Sequence, residues 1–115
     1  MPALGKDGIL GAQDVRVESE EVPEWGGTVY VRSISAEDRD AFEASVNDGK
    51  KSNLANLRAR LLVRCLCDEN GERLFTYSDA AALGKKSGAV LNRLFDRARK
   101  LNGMTDSDVQ ELEGN

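Results

Sequence analysis

The stretch DVRVESEEVPEWGGTVYVRSI, residues 14–34, decides the fold class. Apolar and polar residues alternate on both sides of the break PEWGG, and most of the apolar ones are β-branched. Alternation with a period of two is typical of half-buried strands, and the proline and glycines favour a turn. The pattern predicts a two-stranded hairpin with Val29 and Val31 on one face and Tyr30 and Arg32 on the other. An isolated hairpin is marginally stable, so we expect it to pack against helices.

Most of the remaining chain has helical periodicity. Apolar spacing and capping residues predict helical segments at 35–46, 53–65, 78–84 and 87–102. The apolar face of the second segment is predicted to contain Leu54, Leu57, Leu61 and Cys65. Its solvated side is predicted to hold mainly Arg58, Arg60 and Arg64. The expected fold class is therefore α+β, mainly α, with an N-terminal β-hairpin packed on a small bundle of about four helices.

The 115 residues have the commonest size of a single domain. Residues 1–13 contain three glycines and no sustained periodicity, so they are predicted to be a flexible N-terminal arm. Residues 14–103 are predicted to form the single α+β domain. Residues 104–115 are predicted to be a short acidic C-terminal helix or tail, in which Thr105 and Asp108 have the spacing of a capping box.

The sequence DENG, residues 68–71, is interpreted as a tight turn, because Asn-Gly strongly favours one. The turn predicts a second short hairpin that joins residues 66–67 to residues 74–75. DENG also matches part of a calcium loop, but the twelfth position is Asp79 rather than glutamate and other ligands are missing. We therefore predict no calcium site.

Composition argues against most classes of site. The net charge of −4 is unfavourable for general nucleic-acid binding, and the absence of histidine removes the commonest general base and metal ligand. Cys65 and Cys67 are too few for a zinc site and too close for a relaxed disulfide, so we predict reduced thiols, which are typical of the cytosol. We predict no catalytic, metal-binding or cofactor-binding residue, no cofactor, no membrane segment and a cytoplasmic location.

Residues 85–100 form a basic cluster opposed only by Asp96. Three of its members fall on one helical side and are candidates for self-association: Arg93, Arg97 and Lys100. A solvated helix face is the simplest interpretation, and nucleic-acid contact is disfavoured by the net charge. A third interpretation is head-to-tail association, in which acidic residues 14–24 or 104–115 of one copy meet the basic helix of the next.

Trp25, the single tryptophan, stands in the predicted hairpin turn. It is interpreted as a cover for the hydrophobic core, as a contact for a partner protein or as a stacking surface for nucleic acid. A core this small need not accommodate every large apolar side chain. The candidates for partner binding are Leu10, Trp25, Tyr30, Phe42 and Phe75.

From Asp7 to Asn102 the chain resembles the tail assembly chaperones of long-tailed bacteriophages and prophages. The informative marks are VPEWGG followed by an alternating strand and the helix start AEDRDAFE, then CDENGERLF, then LGKKSGAVLNRLFDRARKLNG. None of these marks is catalytic. The resemblance depends on their order and spacing together.

The resemblance implies a non-enzymatic protein of the host cytoplasm. Such proteins hold the tape measure protein in solution, help to recruit tail tube subunits and are absent from the mature virion. In many of these phages a ribosomal frameshift adds a C-terminal domain that binds the tube protein, and this chain would be the short form. Two alternatives stay open: a small structural protein such as a tail terminator or head-tail connector, and a regulatory adaptor that contacts nucleic acid through residues 85–100.

Overall fold

The computed structural model describes residues 1–48 and 51–112. The described helices are α1 (Lys6–Leu10), α2 (Ala36–Val46), α3 (Leu57–Cys65), α4 (Ala80–Leu83), α5 (Gly88–Leu101) and α6 (Asp106–Leu112). The described strands are β1 (Val17–Val22), β2 (Gly27–Arg32), β3 (Asn47–Asp48), β4 (Lys51–Ser52) and β5 (Leu66–Cys67). The predicted α+β, mainly α class is confirmed.

The predicted N-terminal hairpin is present. β1 and β2 pair antiparallel from Val17 opposite Arg32 to Val22 opposite Gly27. A 3-10 turn over Pro23–Trp25 connects them, and Gly26 closes it with a φ of +78°. That angle lies in the left-handed region, which glycine adopts without steric cost. The predicted faces are correct, because Val31 is buried and Val29 packs against the core.

Residues 66–67 form a third strand in this sheet, and the predicted return of the chain beside them is short. β5 pairs with β2, and beyond the DENG turn a bridge joins Cys67 to Arg73 while the N–H of Leu74 donates a 3.1 Å hydrogen bond to the Leu66 carbonyl. The carboxylate of Asp68 accepts hydrogen bonds from the backbone N–H groups of Asn70 and Glu72, which fixes the turn locally. The Gly71 carbonyl then accepts a 2.7 Å hydrogen bond from Arg32, so the turn is tied to the sheet.

The helix predicted over 53–65 begins later, at Leu57. Asn53 accepts a hydrogen bond from the backbone N–H of Ala55, and such local bonds compete with helix formation. Asn56 then has a φ of +53°, outside the helical region. Leu54 is consequently 44% exposed and does not join the predicted apolar face.

Helix α3 is the centre of the core, with contacts to α2, α4 and α5. This surrounding explains why Arg64 is only 6% exposed, although the sequence pattern placed it on the solvated side. Its guanidinium lies 4.2 Å from the centroid of the Tyr77 ring and 5.9 Å from that of Phe42. The two rings provide cation–π stabilisation for a buried charge that has no carboxylate partner among the described residues.

The two ends of the chain differ in how they contact the core. No residue of α1 is buried. Near the other end, Met104 is buried, Val109 packs against the core and Asp108 lies 3.7 Å from Arg39. Thr105 and Asp108 form the predicted capping box. Residues 113–115 of the predicted acidic tail lie outside the described residues.

Candidate protein-interaction site

The two thiols are poor nucleophiles because both are buried. Burial raises the pKa of Cys65 to about 12 and also raises the pKa of Cys67. At neutral pH both side chains are therefore thiols rather than thiolates. Within residues 1–48 and 51–112, no group of three or more cysteine, aspartate or glutamate side chains is placed to hold a metal ion. No helix in these ranges is long and apolar enough to span a bilayer.

Helix α5 lies against β1 through paired charges. Arg97 donates to Glu20 at 2.7 Å and to Glu18 at 3.0 Å. One turn earlier, Arg93 donates to both carboxylate oxygens of Glu24, at 2.9 and 3.0 Å. The sequence analysis considered a contact between acidic residues 14–24 of one copy and the basic helix of the next. In the structure these residues contact the basic helix of their own chain.

Two periodicities produce this match. Glu18 and Glu20 are two positions apart on β1, so both point to the same face of the sheet. Arg93 and Arg97 are four positions apart on α5, so both lie on one helical side. Neither pattern reveals the other, because the pairs are 69 to 79 positions apart in sequence. The groove between these elements has a volume of about 370 Å³ and carries charges of both signs.

Hydrogen bonds from Arg93 lower the pKa of Glu24 from 4.5 to about 2. Because the folded-state pKa is depressed, the pair's contribution to hairpin docking is complete above pH 4.5 and is lost as the pH falls towards 2. In Arg93→Gln we expect the pKa of the Glu24 carboxyl to rise from about 2 towards 4.5, because the largest cause of its depression is removed; carbon-detected NMR measures this titration. Lys100→Gln removes the same charge from an exposed residue of α5 and should leave the titration near 2. Equal midpoints in wild type and Arg93→Gln would contradict the ion pair.

A second polar cluster joins α2 to the segment before α4. Asp38 accepts a 2.6 Å hydrogen bond from the Tyr77 hydroxyl and another from Arg73. The Tyr77 ring at the same time covers the Arg64 guanidinium. Burial tends to raise the pKa of Asp38, but the hydrogen bonds from Arg73 and Tyr77 outweigh it, so the pKa lies below its ordinary value. We call Asp38, Arg73 and Tyr77 the clasp. Its role is structural, since each of the three has a partner within the chain.

The described residues thus provide paired charges and exposed apolar side chains rather than a reactive centre. Comparison with known proteins agrees with this. The sequence profile of the phage tail assembly chaperone family matches residues 11–115. The chain belongs to this family. The resemblance stated from the sequence motifs is thereby confirmed.

The chaperone is similar to the solved structure of the bacteriophage HK97 tail assembly chaperone. The two chains share 26% sequence identity with a TM-score of 0.61, over 83% of this chain and 88% of that chain. A search of curated proteins finds no match. Family and fold together indicate a non-enzymatic assembly protein.

The chaperone exposes two of the five side chains predicted to bind a partner. Trp25 is 38% exposed at the hairpin turn, and Leu10 is 74% exposed on α1. Tyr30 and Phe75 are half-buried, and Phe75 packs against the core. Phe42 is 1% exposed, so the expectation that it offers a contact is wrong. It lies on the face of α2 that meets α3, because Phe42 and Val46 are four positions apart and form the buried side of this helix.

The three residues predicted for self-association have different surroundings. Arg93 and Arg97 have carboxylate partners in their own chain, whereas Lys100 is exposed at the end of α5. Self-association through them stays a prediction. Sequence reasoning missed other exposed apolar side chains, among them Val15, Val17, Leu54, Leu74 and Tyr77. For Leu54 the signal was present, because Asn53 favours a turn where the helix was expected to begin.

Proposed function

We propose that the chaperone binds the tape measure protein in the host cytoplasm, keeps it soluble and helps to recruit tail tube subunits around it. The observation that carries the proposal is the family match over residues 11–115. Exposed apolar side chains on a small charged protein support it, since such side chains commonly mark protein-binding surfaces. In this proposal the chaperone leaves before the virion is mature, and a frameshifted longer form, where one is made, contacts the tube protein.

We also propose that the chaperone acts as a homo-oligomer, because a long client needs many copies to cover it. Helix α1 supports this, since Ile9 and Leu10 are both exposed and no α1 residue is buried. A nucleic-acid role is less well supported than it was from the sequence. Arg93 and Arg97, two of the cations that would contact phosphate, are held by β1 and its turn.

Co-expression with the tape measure protein of the same phage tests the proposal. We expect the chaperone to move most of the client from the pellet to the soluble fraction. Trp25→Ala should weaken client binding by about 30-fold, the magnitude of a tryptophan hot spot. Trp25→Phe, which keeps an aromatic ring, is the matched control and should retain most of the binding. A client that precipitates equally with and without the chaperone would refute the function, and mass spectrometry of mature particles separates it from a structural virion protein.

A further inference from the structure

Carboxylates pair with only some of the cations in the basic cluster of residues 85–100. Arg93 and Arg97 are paired with β1 and its turn, but Lys85 and Lys86, just before α5, have no ion pair among the described residues. Arg58, at the start of α3, lies close to this end. Its guanidinium donates a 3.0 Å hydrogen bond to the side-chain oxygen of Asn92 and lies over the ring of Phe95, and it has no carboxylate partner in the part of the chain that the structure describes. An uncompensated positive region therefore remains where α3 and α5 both begin.

This region contains a groove of about 200 Å³, here called the α3/α5 groove. Leu57 and Leu91 are buried at its floor, and Leu54 forms an exposed apolar wall. Arg58 and Lys86 line its rim, and none of the described lining residues is acidic. The volume lies below the roughly 300–1,000 Å³ of small-molecule sites, so the groove fits a side chain better than a metabolite.

The backbone adds to the positive potential. Asn56 precedes α3, and its side chain makes no capping hydrogen bond to the first-turn N–H groups of this helix. The N-terminus of α5 borders the same groove, and helix N-termini carry partial positive charge. The groove therefore favours carboxylates at its rim and an apolar side chain at its floor.

We infer that the α3/α5 groove docks an acidic segment of a partner protein, in which carboxylates flank a large apolar side chain. The inference rests on the proposed function, since the partner it describes is the client. A phosphate group has no apolar part that could pack against the two leucines at the floor of the groove. An extended polyanion would also be repelled by the molecule as a whole, whose net charge is −4. A peptide with carboxylates for the basic rim and an apolar side chain for the floor matches the whole groove.

Fluorescence anisotropy with the full chain tests this inference directly. The probe is a fluorescein-labelled peptide of about twelve residues, in which a central leucine is flanked by glutamates. We expect saturable binding that weakens as salt rises and is lost when serine replaces the leucine. Lys86→Glu should weaken it about tenfold, because attraction becomes repulsion at the rim. Lys100→Glu makes the same charge change at the far end of α5 and should have less than about a twofold effect.

Several results would overturn the inference. The first is that the wild type does not bind the probe peptide, and the second is that Lys86→Glu and Lys100→Glu lose equal amounts of affinity for it. The third is that duplex DNA binds more tightly than the probe. The fourth is that a peptide of this chain's own residues 104–115 binds more tightly than the probe. The last would assign the groove to a second copy. If the tape measure protein is solubilised while the probe fails to bind, the groove assignment is wrong and the proposed function stands. If the probe binds while the client still precipitates, the proposed function fails and the groove stands.

Discussion

Phe42→Ala is expected to lower the free energy of unfolding by about 3–5 kcal/mol, the usual cost of removing a fully buried phenylalanine. Phe42 is 1% exposed, and its ring also faces the buried Arg64 guanidinium. The substitution therefore leaves a cavity and removes one of the two rings near a buried charge. Small domains have only about 5–15 kcal/mol of stability, so much of this variant should be unfolded at modest urea concentrations.

Urea denaturation followed by circular dichroism measures this effect. Phe42→Leu keeps most of the volume and should cost less than about 1.5 kcal/mol. Leu10→Ala is the matched control from the same set of predicted contacts, and its exposed position predicts a change within about 0.5 kcal/mol. If Phe42→Ala keeps wild-type stability but loses client binding, the assignment of Phe42 to the core is wrong.

Asp38→Ala is expected to cost about 2–3 kcal/mol, because two hydrogen bonds to a largely buried carboxylate are lost together. The Asp38 side chain is 15% exposed, so solvent screens its pair with Arg73 only weakly. Removing the carboxylate also releases Tyr77, the ring that covers Arg64. Tyr77→Phe keeps that ring and removes only the hydroxyl, so it should cost about 1 kcal/mol.

The pH dependence of Asp38→Ala provides an independent check. The folded-state pKa of Asp38 lies below its ordinary value of 3.8, so its stabilisation is complete above that value. It is lost as the pH falls through the depressed folded-state pKa. We expect the stability difference between wild type and variant to shrink below pH 3.8. Asp40→Ala removes an exposed carboxylate from the same helix and should change stability by less than about 0.5 kcal/mol at any pH. A difference that stays constant down to acid pH would contradict the clasp.

Local pattern was sufficient for much of the fold and for little of the candidate site. The hairpin, helix α5 and the Thr105–Asp108 capping box follow from residues within a few positions of one another. The α3/α5 groove could not be anticipated in this way. It forms because Leu57 and Leu91, which are distant in sequence, lie at the starts of two helices that pack side by side.

The sequence by itself determined the hairpin and the helices α2, α4, α5 and α6, since alternation, spacing and caps act over a few residues. It predicted neither α1 nor the start of α3 at Leu57. Only the tertiary structure decided what those segments face. It placed Phe42 and Arg64 inside, added β5 to the hairpin and brought Arg97 to Glu18, 79 positions away. The physical reason is that burial and ion pairing depend on partners that approach through space, and no local pattern contains that information.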